Sequence, residues 1–70
     1  MQQQKQQKNN MKLLRNIIGR TQAEAAMSSH MSTRMWQLYE YGKIIPPLNR
    51  ANAIALALDS RIEDVFPGYY

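Results

Sequence analysis

The sequence predicts an all-α domain, a compact bundle of five short helices without strands. Apolar residues recur at helical spacing in separate short segments between residues 11 and 66. These segments are bounded by Thr, Ser, Gly and Pro, the residue types typical of helix ends and loops. Because no segment is a credible strand, only helix-on-helix packing is available to bury the apolar side chains.

The first two helices are predicted from their end signals. One begins at Met11 and ends before Gly19, which suits a C-cap. The next spans residues 22–28, because Thr21 is a suitable N-cap and Glu24, three residues later, completes a capping box.

The third helix is predicted to run from Thr33 to Tyr41, with Ser32 as its N-cap and Gly42 after its end. Its spacing separates two sides. The anchoring side consists of Met35, Trp36, Tyr39 and Glu40. The opposite side consists of Thr33, Arg34, Gln37 and Leu38. Arg and Gln can pair bidentately with guanine and adenine, and Thr and Leu can contact a thymine methyl group.

The last two helices follow a loop at residues 43–47, where two consecutive prolines exclude a helix. The fourth helix runs from about residue 48 to 58, and a short fifth covers residues 61–66. One side of the fourth is an apolar stripe for the core: Ala51, Ile54, Ala55 and Leu58.

Outside the folded domain at residues 11–66 we expect a polar tail at residues 1–10 and a C-terminal tail at residues 67–70. The first ten residues have no apolar side chain after Met1, so burial cannot offset the entropy of ordering them. We expect this tail to be mobile, with Lys5 and Lys8 available for non-specific phosphate contacts.

Composition excludes several classes of protein. The chain has no cysteine and one histidine, and it has no catalytic constellation or glycine-rich phosphate loop. We therefore expect no enzyme activity and no metal, cofactor or small-molecule ligand. Its apolar runs are too short to span a membrane and nothing resembles a signal peptide, so we expect a cytoplasmic protein.

Charge points to a polyanionic partner. Residues 1–50 carry a formal charge of +6, whereas residues 51–70 carry −2. A basic face of this kind suits nucleic acid, although many small proteins carry a few surplus lysines.

The order of these signals resembles the Cro and phage-repressor (XRE) helix-turn-helix family over residues 11–66. The motif residues are Thr21-Gln22, Ser32, Glu40-Tyr41-Gly42-Lys43, Pro46 and Leu48, with Leu14-Arg15 before them and Ala57-Leu58 and Ile62-Glu63-Asp64-Val65-Phe66 after them. The resemblance implies a lambda-repressor-like fold and a sequence-specific regulator of transcription. Such a protein binds operator DNA, commonly as a homodimer, and is nucleoid-associated.

The resemblance also assigns roles to individual residues. Base contacts fall to Ser32, Thr33, Arg34, Gln37 and Leu38. Phosphate contacts fall to Gln22, Lys43, Tyr41 and Arg20. Arg15 and Glu40 correspond to an internal salt bridge between the first and third helices.

This chain departs from the family pattern at several positions. His30 replaces the turn glycine and must adopt a left-handed conformation or reshape the turn. Ala25 and Ser29 stand where the family has large aliphatic residues, and we expect large side chains of the neighbouring segment to fill the space: Met31, Met35 and Trp36.

Two other functions stay open. A protein-interaction module, such as an antirepressor or antitoxin, could keep the fold and bind a protein instead of DNA. RNA binding is less favoured, because Trp36 is expected in the core and no exposed aromatic platform remains. Apolar residues near the end of the chain would mark a dimer interface if exposed: Ile44, Ile45, Phe66, Tyr69 and Tyr70.

Overall fold

The computed structural model describes residues 8–70, which contain five helices and no strand. In chain order the helices are α1 (Met11–Ile17), α2 (Gln22–Ser28), α3 (Thr33–Glu40), α4 (Leu48–Ala57) and α5 (Ile62–Val65). The predicted all-α class is confirmed for this part of the chain, and each predicted helix is present close to its predicted ends. Residues 1–7 of the tail predicted at residues 1–10 lie outside the described residues, and the mobility of that tail stays a prediction.

Side-chain caps fix the starts of α2 and α3, as predicted. The Thr21 hydroxyl accepts a hydrogen bond from the Glu24 N–H at 3.1 Å, and the Glu24 carboxylate accepts one from the Thr21 N–H at 2.9 Å. This reciprocal pair is the predicted capping box. The Ser32 hydroxyl accepts from the Met35 N–H at 3.1 Å and so begins α3.

The turn between α2 and α3 contains His30 in the left-handed region, at φ +59°. A side chain costs roughly 1–2 kcal/mol in this conformation, so the turn has to be held by other bonds. The N–H groups of His30 and Met31 donate to carbonyls of α2, at 3.1 and 3.0 Å. Ser29 is buried, and its hydroxyl donates to the Ala25 carbonyl at 2.9 Å. The turn thus accommodates His30 in a left-handed conformation.

The core lies where α2 packs against α3 and α4, and where α4 packs against α5. Its buried apolar residues are Met11, Ala25, Ala26, Trp36, Tyr39, Ala51, Ile54, Ala55, Ala57, Leu58, Val65 and Phe66. All four residues of the predicted α4 stripe are among them. Trp36 is completely buried, while Met31 and Met35 pack against the core from its edge. The core thus combines large side chains in and just before α3 with small residues of α2.

Both ends of the described chain form hydrogen bonds with residues that are distant in the sequence. The Asn10 N–H donates to the Val65 carbonyl at 2.9 Å, and the Asn9 side-chain amide donates to the Tyr39 carbonyl at 3.0 Å. At the other end, the Tyr69 and Tyr70 hydroxyls donate to the carbonyls of residues 8 and 46. Ordered contacts thus extend beyond residues 11 and 66.

Candidate nucleic-acid interface

The two sides of α3 differ in exposure, because the buried residues of this helix all lie on the anchoring side. Trp36 and Tyr39 are buried, and they hold α3 against the rest of the domain. On the other side, Thr33 and Arg34 are exposed and Gln37 is half-buried. Leu38 is also half-buried, and Ser32 is exposed at the start of the helix. The structure therefore brings the five residues predicted to contact bases together along one helix and its N-cap.

A nearly buried ion pair ties α3 to α1. Arg15 donates from Nε to Glu40 Oε1 and from Nη2 to Oε2, both at 3.0 Å. The Glu40 side chain is 2% exposed and that of Arg15 11% exposed. This bidentate geometry is the strongest arrangement of an arginine with a carboxylate. The pair is the internal salt bridge between the first and third helices that the resemblance implied for Arg15 and Glu40.

Glu40 has two further donors that sequence reasoning missed. Trp36 Nε1 donates to Oε1 at 2.8 Å, and Gln22 Nε2 donates to Oε2 at 3.0 Å. The Trp36 contact has a sequence signal, because the two residues are four apart on one helix. The Gln22 contact has none, because it depends on how α2 packs against α3.

These donors keep Glu40 ionised. Burial by itself raises the pKa of a carboxyl group, but here the hydrogen bonds from Arg15, Trp36 and Gln22 outweigh it. The pKa of Glu40 is therefore below its ordinary value. The hydrogen bond to Glu40 likewise raises the pKa of Arg15, against the effect of its burial.

Gln22 connects the ion pair to the outer surface of α3. Besides its bond to Glu40, its Nε2 donates to the Tyr41 hydroxyl at 3.3 Å. Its carbonyl oxygen accepts from Gln37 Nε2 at 3.0 Å. Gln22 thus links the two other predicted DNA contacts, Gln37 and Tyr41, through hydrogen bonds. Both amide hydrogens of Gln22, the predicted phosphate donor, are already engaged within the protein.

The other two predicted phosphate contacts lie in different surroundings. Lys43 is exposed just after α3, where its N–H donates to the Leu38 carbonyl at 2.9 Å. The Arg20 guanidinium donates to the Ser28 hydroxyl, at the end of α2 opposite to Gln22. Arg20 therefore does not join the cluster formed by Gln22, Gln37 and Tyr41.

Arg20 instead lines an open groove of about 480 Å³. Its other lining residues are Ile18, Ser28, Leu56, Ala57 and Asp59.

Among residues 8–70, no three His, Cys, Asp or Glu side chains are grouped so that they could hold a metal ion. Within the same residues, no helix is long and apolar enough to cross a bilayer.

No protein-family model matches the chain, and no curated protein matches it.

Proposed function

We propose that this chain is a sequence-specific, double-stranded DNA-binding regulator of transcription that works as Cro-type repressors do. In this proposal α2, the turn at residues 29–32 and α3 form a helix-turn-helix of the lambda-repressor-like type. The protein has no catalytic role. It would act by occupying an operator and excluding polymerase or a competing regulator.

The observation that carries the proposal is the two-sided character of α3. Its inner side is held by the buried Trp36 and Tyr39 and by the ion pair of Glu40. Its outer side presents Arg34 and Gln37, whose planar polar groups suit the edges of guanine and adenine. A recognition helix requires this combination, because base contacts depend on a helix axis that does not shift.

Cationic and hydroxyl groups next to α3 support the same proposal. Lys43 and Tyr41 are exposed directly after the helix, where they would contact phosphates on the strand beside the groove. Phosphate contacts set orientation and supply salt-dependent affinity, whereas base contacts supply specificity. A homodimer would place two copies of α3 about 34 Å apart along one face of the duplex.

Binding to duplexes selected from a random pool tests the proposal. Arg34→Ala is expected to cost about 1–3 kcal/mol of binding free energy and to relax the preference at one base pair. Lys43→Ala should instead weaken binding to all duplexes and lower the slope of log K against log salt by about 1. The measurement is fluorescence anisotropy over a series of salt concentrations.

Arg61→Ala is the matched control, because it removes the same charge from a side chain that is 77% exposed beside Glu63 and Asp64. It should alter binding less than Arg34→Ala and leave the base preference unchanged. The proposal is contradicted if no duplex is selected, if added salt leaves the affinity unchanged, or if Arg34→Ala behaves like Arg61→Ala.

A protein-interaction module is the second candidate, favoured by exposed apolar side chains away from α3. Leu56 is 80% exposed on α4, and Met27, Ile17 and Leu13 are also mostly exposed. Exposed apolar groups of this kind can form a contact surface for a protein. A stoichiometric protein complex that is lost on Leu56→Glu, in a chain that selects no duplex, would favour this function.

A further inference from the structure

We infer that Gln22 is a positioning residue for Gln37, and that their contact makes Gln37 selective for adenine. In this inference Gln22 does not bind phosphate, and the Tyr41 hydroxyl takes that role. The inference rests on the proposed function, since it concerns how α3 would recognise a base.

The Glu40 carboxylate determines which groups donate in the hydrogen bonds formed by Gln22 and Gln37. The Arg15 guanidinium and the Trp36 indole can only donate hydrogen bonds, and both contact the Glu40 carboxylate. An ionised carboxylate can only accept. The amide group that faces Glu40 Oε2 at 3.0 Å must therefore be the NH₂ of Gln22, not its carbonyl oxygen.

The orientation of the Gln22 amide in turn determines the orientation of the Gln37 amide. With the NH₂ group of Gln22 facing Glu40, its carbonyl oxygen faces Gln37 Nε2 at 3.0 Å. Turning the Gln37 amide over would set two carbonyl oxygens against each other and lose the bond. Gln37 must therefore donate to Gln22, and its own carbonyl oxygen has no partner among the described residues.

Adenine fits the groups that Gln37 keeps available. One hydrogen of its NH₂ is used by Gln22, which leaves one N–H donor and the carbonyl acceptor. A glutamine pairs bidentately with adenine through these two groups, accepting from N6 and donating to N7. Guanine presents two acceptors at the same edge and cannot donate to the Gln37 oxygen.

Gln22 itself has no donor left for a phosphate. An amide has two N–H hydrogens, and those of Gln22 go to Glu40 and to the Tyr41 hydroxyl. The hydroxyl of Tyr41 accepts from Gln22, so its own hydrogen is free to be donated. Tyr41 is exposed, and none of the described residues accepts a hydrogen bond from it. A phosphate oxygen is the partner that such a hydroxyl suits.

Gln37 is selective for one base because Gln22 fixes its side-chain conformation before DNA binds. A glutamine that rotates freely can present its oxygen or its NH₂ to a base, and loses side-chain entropy when it binds. Held by Gln22, it presents one arrangement only. Removal of Gln22 should therefore change which bases are accepted, in addition to how tightly they are bound.

Gln22→Met tests the inference, because methionine has a similar shape without an amide. In selection from a random pool, Gln22→Met should reduce the preference for adenine at one position by about tenfold. Gln37→Met should reduce it at the same position. The double variant should be no less selective than Gln37→Met alone, because both changes remove one interaction.

Tyr41→Phe is the control for the phosphate role. It should weaken binding to all duplexes by a similar factor and keep the adenine preference. A uniform loss of affinity in Gln22→Met, with the preference intact, would overturn the inference and leave the proposed function standing. A wild-type chain that selects no duplex would overturn both.

A measurement on the free protein tests the contact between Gln22 and Gln37 independently of DNA binding. In the NMR spectrum, the Gln37 side-chain amide signals should shift in Gln22→Met, and the change should persist in Gln22→Ala. Circular dichroism checks that each variant is folded, and either folded variant suffices. Unshifted Gln37 amide signals in a folded variant would overturn the inference, whatever the DNA experiments give.

Discussion

Replacing Trp36 by alanine is expected to remove a large part of the free energy of unfolding at 25 °C. Trp36 is 0% exposed, and truncating a buried aromatic residue costs about 3–5 kcal/mol. The substitution also removes the indole N–H that donates to Glu40. A domain of this size has a total stability on the order of 3–10 kcal/mol, so this loss is comparable to the whole. Urea denaturation followed by circular dichroism measures it.

Two matched variants separate packing from other effects of Trp36. Trp36→Phe keeps an aromatic ring in the core and loses the N–H donor, so it should remain folded and lose about 1–3 kcal/mol. Leu56→Ala removes an apolar side chain that is 80% exposed, and should stay within about 0.5 kcal/mol of the wild type. A Trp36→Ala chain that is as stable as Leu56→Ala would contradict the described core.

Replacing Glu40 by alanine is the second change with a large expected effect. It leaves Arg15 nearly buried without its carboxylate partner, which typically costs about 3–5 kcal/mol. Replacing both members by methionine should be less harmful than Glu40→Ala, because no charge is then left unpaired. Equal urea midpoints for Glu40→Ala and the wild type would contradict the role of this ion pair.

The same carboxylate predicts a dependence of stability on pH. Because the pKa of Glu40 is lowered in the folded state, its contribution to stability is present above the ordinary pKa of the carboxyl group, about 4.5. The contribution is lost as the pH falls from there through the folded-state pKa. As the pH falls below about 4.5, the stability of Glu40→Gln should therefore decrease less than that of the wild type.

Glu63→Gln is the matched control for this pH series, since Glu63 is exposed and its contact with Arg61 is 3.8 Å long. Its urea midpoint should fall with pH almost as steeply as that of the wild type. A Glu40→Gln variant that follows the Glu63→Gln curve would show that Glu40 does not contribute in this way.

Local signals were sufficient to predict the helices and the separation of α3 into two sides. Thr21 and Ser32 cap their helices through bonds to groups only three residues away, so neighbouring residues alone encode them. The burial of Trp36 and Tyr39 followed from helical spacing and apolar character. For His30 the family resemblance implied either a left-handed conformation or a reshaped turn, and the structure has the left-handed conformation.

Contacts between residues that are far apart in the sequence could not be predicted from local signals. Gln22 lies 15 residues from Gln37 and 18 from Glu40, and only the packing of α2 against α3 brings them together. The resemblance therefore assigned a phosphate contact to Gln22, without the two internal acceptors that occupy its amide. Asn9 and Asn10 looked like part of a polar tail, because composition does not show that their side chains bond to distant carbonyls.

Intermolecular NOEs in a complex with a selected duplex test most directly whether α3 enters the major groove. The methyl groups of Thr33 and Leu38 should show NOEs to major-groove protons, such as thymine methyl and cytosine H5 protons. The methyl groups of Leu13 and Ile17, which are exposed on α1, should show none. NOEs that come only from α1 or α4, with the signals of α3 unchanged by DNA, would contradict the proposed mode of binding.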